Sequence, residues 1–194
     1  MERVGELASP ESIATRGDAV VLLHPLDADE GVERARAMQV LGAVLRATQG
    51  RVFVLDPNND PGHRGILAAW SEYEGDPRVT RLRSPDRPTF LALLRDAGVF
   101  VGNSSAGIIE APSFGVPVVN VGPRQGGRER ARNVVDVDYD DRAIHAAVRE
   151  SLRAHSGRRR IANPYAKTRT ARQIASLLAT RTDRARLLPK RIVY

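Results

Sequence analysis

The chain of 194 residues contains no cysteine. That excludes a disulfide scaffold, a thiolate metal site and a cysteine nucleophile. Aromatic residues make up only 5% of the sequence, too few to furnish stacking platforms for single-stranded nucleic acid. No apolar run approaches the roughly 18 residues that a membrane span needs. The first residues, Met1 to Glu6, lack the apolar core of a signal peptide, so a cytoplasmic location is expected. Lysine is nearly absent: of 30 basic residues only Lys167 and Lys190 are lysines, leaving 28 arginines.

The composition is otherwise that of a globular domain, 42% hydrophobic and 27% charged, with a net charge of +7. A basic excess suits a phosphorylated ligand, nucleic acid or an anionic surface, or reflects coding composition alone. With so few aromatics, nucleic acid is not the expected partner. The length fits one core and leaves little room for two.

Short apolar runs alternate with amphipathic stretches. Strands are expected at 19–25, 51–55, 79–82, 98–102, 116–121 and 133–137. Helices are expected at 29–48, 63–73, 88–96, 106–114, 140–154 and 171–180, with a short one led by Ser9-Pro10-Glu11-Ser12. Continuously apolar strands separated by helices imply a parallel sheet covered on both faces. The expected fold is therefore a single Rossmann-like α/β domain over residues 1–181, followed by a basic tail at 182–194. In such sheets ligands sit beyond the carboxyl ends of the strands. The unusual polar residues gather at four of those ends.

The strongest motif is Gly102-Asn103-Ser104-Ser105-Ala106-Gly107, running through Ile108 and Ile109 to Glu110. A strand ends, small residues turn the chain and a helix begins, as at sites that receive anions. Ser104 and Ser105 can donate to a phosphate or merely cap the helix. Glu110 can accept from a ribose diol. After the next strand comes Gly122-Pro123-Arg124-Gln125-Gly126-Gly127-Arg128. Arg124 can clamp a phosphate, and Arg128 can reinforce it or pair with an acid.

His24-Pro25 ends the first strand. Its imidazole can serve a phosphate, act as an acid or base, or be structural. Asn58 and Asp60 follow the second strand and can read a base or sugar or form an Asx turn. His63 has no second ligand at metal-binding spacing, and no metal or cofactor is called for. His145 and His155 receive no role. Arg158 to Arg160 read as a solvated cluster, and Asn163-Pro164-Tyr165 as a turn before the last helix.

Together these motifs resemble the carboxyl-terminal half of the hydrolysing UDP-N-acetylglucosamine 2-epimerases. The resemblance covers roughly residues 17–180. It rests on His24-Pro25, Pro57 to Asp60, Phe90 to Leu94, Gly102 to Pro112, Gly115 to Gly122, Arg124 to Arg128, Asn133-Val134 and Asn163-Pro164-Tyr165. It implies half of a two-domain glycosyltransferase-B type fold with UDP or UDP-GlcNAc as ligand. It places His24 near the diphosphate and the reacting sugar, as the catalytic candidate. Asn58 would hold the nucleotide, Ser104 and Ser105 the diphosphate, Glu110 the ribose, and Arg124 the nucleotide or its loop. The family reaction eliminates UDP to a glycal-type intermediate. Water then adds to give N-acetylmannosamine.

Two departures stand out. Ala166 follows Asn-Pro-Tyr where the family usually has glycine. The family's catalytic carboxylates lie on an N-terminal domain of comparable size, and this chain starts about where that domain ends. The expectation is a nucleotide-binding half that is active only with a separate N-terminal half. The alternatives are a non-catalytic nucleotide-sugar-binding remnant or gene fragment and, on charge alone, a basic adaptor for anionic polymers. An oligomer is compatible with either of the first two.

Overall fold

The computed structural model describes residues 13–154, 161–166 and 169–180. The Ser9-Pro10 helix, His155, the Arg158 to Arg160 cluster and the basic tail lie outside these residues.

Six parallel strands form one sheet in the order β3-β2-β1-β4-β5-β6. They are β1 (Ala19–Leu22), β2 (Val52–Leu55), β3 (Val79–Leu82), β4 (Val99–Gly102), β5 (Val118–Val121) and β6 (Val134–Val137). The four inner strands are buried at every residue. This explains why they read as unbroken apolar runs rather than alternating ones.

Alternation within each strand divides the core into two layers. Ala19, Val21, Val54, Val101 and Val119 face α1 (Glu30–Ala47), α2 (His63–Ser71) and α6 (Asp141–Ala154), meeting Leu41, Val44, Trp70 and Ile144. Val20, Leu22, Phe53, Phe100 and Val118 face the opposite layer, built from α3 (Arg87–Asp96), α4 (Ala106–Ile109) and α5 (Ala111–Phe114). Fully burying each such large apolar side chain contributes roughly 1.5–3 kcal/mol.

Local chemistry sets the helix starts. The Asp29 side chain accepts from Gly31 N at 2.7 Å and Val32 N at 3.1 Å, capping α1. Asp86 accepts from Thr89 N, capping α3, which also carries a proline in its first turn. Val32, expected on the apolar face of α1, is instead exposed.

The helix expected over 106–114 is two short helices, α4 and α5, meeting at Glu110. Pro112 lies in the first turn of α5, where its missing N–H costs nothing, and it cannot continue α4 into α5. Gly107 lies under this break. A Cβ there would stand 2.9 Å from Val118 Cγ1 and 3.1 Å from Phe100 Cδ1, so glycine lets α4 sit directly on the sheet.

The last helix, α7 (Thr170–Thr180), has no buried residue. Among the described residues no helix is long and apolar enough to cross a membrane.

Candidate functional site

The sheet order reverses direction between β1 and β4, which opens a crevice at their carboxyl ends. The two strands are in register, Leu22 opposite Gly102. Gly102 has φ +138°, and a Cβ there would fall 2.0 Å from Leu22 O. Only glycine lets β4 end this close to β1.

Just past these ends His24 and Asn103 grip each other. The His24 main-chain N–H donates to Asn103 Oδ1 at 2.7 Å, and Asn103 Nδ2 donates to His24 O at 2.8 Å. Asn103 is fully buried. Its main-chain carbonyl accepts from Gln125 Nε2 at 2.7 Å and from Arg124 Nη1 at 3.3 Å. One residue thereby ties together the loops after β1, β4 and β5.

The His24 ring is half-buried in this crevice. Asn58 N donates to its Nδ1 at 3.1 Å, and its Nε2 lies 3.3 Å from Ser104 Oγ. Burial lowers its pKa to about 4, and the Arg124 charge adds to that effect. Asp60 and the Asn58 side chain favour the cation, but less strongly. The ring is therefore neutral at physiological pH. Asn58 also donates through Nδ2 to Asp60 Oδ2 at 2.6 Å, the Asx-type contact of a turn.

Ser105 stands at the start of α4 without a side-chain capping bond, so its hydroxyl is not spent on the helix. Ser104 is buried, and its Oγ accepts from Ala106 N at 3.4 Å. Glu110, at the α4–α5 junction, has its carboxylate 3.8 Å from Arg87 Nη1. Burial raises its pKa, and Arg87 partly offsets the shift.

The loop after β5 begins at Gly122, with φ +75°, where a Cβ would strike the Tyr139 ring at 2.4 Å. A 3-10 turn over Pro123–Gln125 then presents Arg124, half-buried, toward Asn103. Arg128 is exposed on the same loop, and its main-chain carbonyl accepts from Arg130 Nη1 at 2.7 Å. Arg130, which drew no attention in the sequence, also donates to Gln125 O at 3.0 Å and pairs with Asp136. The acid-pairing role considered for Arg128 is performed by Arg130.

The sequence also gave no reason to single out Glu33, which is 2% exposed and accepts from Leu26 N and Asp27 N. It anchors the loop that follows His24. Asn163 donates to Ile109 O and Ser113 Oγ, and Tyr165 donates to Glu129 O at 3.1 Å. The Asn-Pro-Tyr turn thus braces the α4–α5 layer against the arginine loop. A capping acid with an apolar helix partner resembles many surface acids, so no sequence signal distinguishes Glu33. Asn163 was visible only as a turn residue.

The arrangement brings an imidazole, two serine hydroxyls and a guanidinium to one crevice, with a carboxylate at the α4–α5 junction. Such a set suits an oxygen-rich anion. Among the described residues no cluster of three metal-type ligands occurs.

The chain matches the family described as UDP-N-acetylglucosamine 2-epimerase over residues 3–179. It is 35% identical over 175 residues to a UDP-N,N'-diacetylbacillosamine 2-epimerase (hydrolyzing) of Legionella pneumophila, covering 90% of this chain and 46% of that protein. It is 33% identical over 132 residues to a UDP-N-acetylglucosamine 2-epimerase of Neisseria meningitidis, covering 68% of this chain and 34% of that protein. The fold is similar to a Listeria monocytogenes putative UDP-N-acetylglucosamine 2-epimerase, with a TM-score of 0.67 at 16% identity, over 98% of this chain and 54% of that one. It is also similar to the Methanocaldococcus jannaschii UDP-GlcNAc 2-epimerase solved with UDP-GlcNAc and UDP, with a TM-score of 0.62 at 13% identity, over 91% and 47%. The chain spans about half the length of these relatives or less. On the extent of the family match and the identity to the Legionella protein, the chain belongs to the UDP-N-acetylglucosamine 2-epimerase family.

Proposed function

We propose that this chain is the nucleotide-binding half of a hydrolysing UDP-N-acetylglucosamine 2-epimerase. The observation that carries the proposal is the convergence of His24, Ser104 and Arg124 on the β1–β4 crevice. In this reading the crevice takes the UDP of UDP-GlcNAc. Arg124 and the hydroxyls of Ser104 and Ser105 hold the diphosphate, supported by the loop that carries Arg128. Asn58 lies on the nucleotide side, and Glu110 accepts from the ribose diol.

The reaction removes the proton from sugar C2 while the C1–O bond to UDP breaks and a C1–C2 double bond forms. Water then returns oxygen to C1 and a proton to the opposite face of C2. The products are N-acetylmannosamine and UDP. This half stabilises the departing diphosphate by hydrogen bonds and charge. A neutral His24 is a hydrogen-bond donor rather than a proton source. Proton removal and water activation are assigned to carboxylates of a second domain.

The test is UDP release from UDP-GlcNAc, assayed with the chain alone and with the amino-terminal half of one of the relatives. The proposal expects UDP binding without turnover by the chain alone, and N-acetylmannosamine only from the mixture. Binding without turnover in every mixture favours a non-catalytic nucleotide-sugar-binding protein instead.

A further inference from the structure

The polar contacts around His24 have a fixed direction. A main-chain N–H can only donate, so the Asn58 amide at 3.1 Å requires a lone pair on His24 Nδ1. A proton on Nδ1, in the other tautomer or in the cation, would oppose two donors. The ring proton is therefore on Nε2, and the 3.3 Å contact runs from His24 Nε2–H to Ser104 Oγ. Ser104 Oγ also accepts from Ala106 N at 3.4 Å. A hydroxyl has two lone pairs and one proton. Both lone pairs face donors, which leaves the O–H as the free function.

We propose that His24 is a positioning residue: with Asn58 and Ala106 it turns the Ser104 hydroxyl so that its single proton points to an anionic oxygen of the bound diphosphate. This rests on the reading of the crevice as a UDP site. His24 acts through Ser104, and the serine makes the contact. The surroundings keep the ring in the required state. Arg124 from the turn after β5 opposes protonation. Asp60 and the Asn58 side chain, both on the loop after β2, oppose it less than burial and Arg124 favour it. Tyr139, from the β6 side, lies 3.4 Å from Asn103 Nδ2 and contributes a neutral hydroxyl.

Two measurements test this. The first is a double-mutant cycle on UDP affinity with His24→Phe and Ser104→Ala. A residue that acts only through Ser104 loses its effect once the serine is gone. Each single variant is expected to weaken UDP binding about tenfold, and the double variant no more than Ser104→Ala alone. Multiplying losses, toward a hundredfold, would show that His24 meets the ligand by itself and would overturn the proposal. His24→Gln, which keeps an N–H donor on a side chain of similar reach, is expected to retain more affinity than His24→Phe.

The second measurement is nitrogen-15 spectroscopy of the His24 ring in the wild-type chain. A neutral Nε2–H ring from pH 5.5 to 8 is expected. An imidazolium or an Nδ1–H ring in that range overturns the arrangement. Absence of UDP binding by the wild-type chain refutes the UDP reading, whereas the ring spectrum still decides the orientation of the three residues.

Discussion

His24 and Asn103, 79 positions apart in sequence, exchange two hydrogen bonds of 2.7 and 2.8 Å across the ends of β1 and β4. The side chain of one supplies both partners for the main chain of the other. That economy holds the crevice open at a fixed width. It also puts His24, Arg124 and Gln125 under the control of a single buried amide.

Replacing Asn103 with alanine strips partners from a main-chain N–H and C=O beside the core. The expected loss of stability is about 1–3 kcal/mol. It should appear as a lower urea midpoint with an unchanged slope. Unaltered denaturation curves would show that water replaces the clamp without cost.

The His24 ring gives stability a pH dependence of predictable sign. Unfolded, it takes a proton near the ordinary pKa of 6.5; folded, only near 4. Between those values the unfolded chain binds more protons, so this residue's contribution weakens as the pH falls from 6.5 to 4. Glu110 works in the opposite sense above its ordinary range, because burial raises its pKa. The comparison is therefore with His24→Gln, which should lose less stability than the parent between pH 6.5 and 4.5. Parallel stability curves for the two proteins would contradict the buried, neutral ring.

At neutral pH the Glu110 carboxylate is charged although burial disfavours it. Glu110→Gln is expected to raise the melting temperature and to weaken UDP binding roughly tenfold, the cost of a hydrogen bond to a charged group. The loss should be much smaller with 2′-deoxy-UDP, which lacks one ribose hydroxyl. Equal losses for both nucleotides would remove the ribose contact.

Most of the fold is legible in the sequence because its signals are local. Val52 to Leu55 or Val118 to Val121 can bury every side chain only inside a covered parallel sheet. Asp29 and Asp86 announce the helices they cap. The break at Glu110 was less visible, because Ala106 to Phe114 has helical composition throughout and Pro112 is tolerated in a first turn. The site was legible as positions and not as contacts. Glycine-rich loops at strand ends marked Ser104 and Arg124. Nothing local shows that Asn103 binds the main chain of a residue 79 positions away, or that Arg130 rather than Arg128 holds Asp136. Such partners are chosen by the strand order, which the spacing of apolar residues does not specify.

The central claim is that the β1–β4 crevice receives a nucleoside diphosphate, and calorimetric titration with UDP tests it most directly. The wild-type chain should bind UDP at one site. Arg124→Ala and Ser104→Ala should each weaken binding by about 1.5–3 kcal/mol, the cost of a charge-assisted contact. Titration curves left unchanged by both substitutions, or no binding by the wild-type chain, would contradict it.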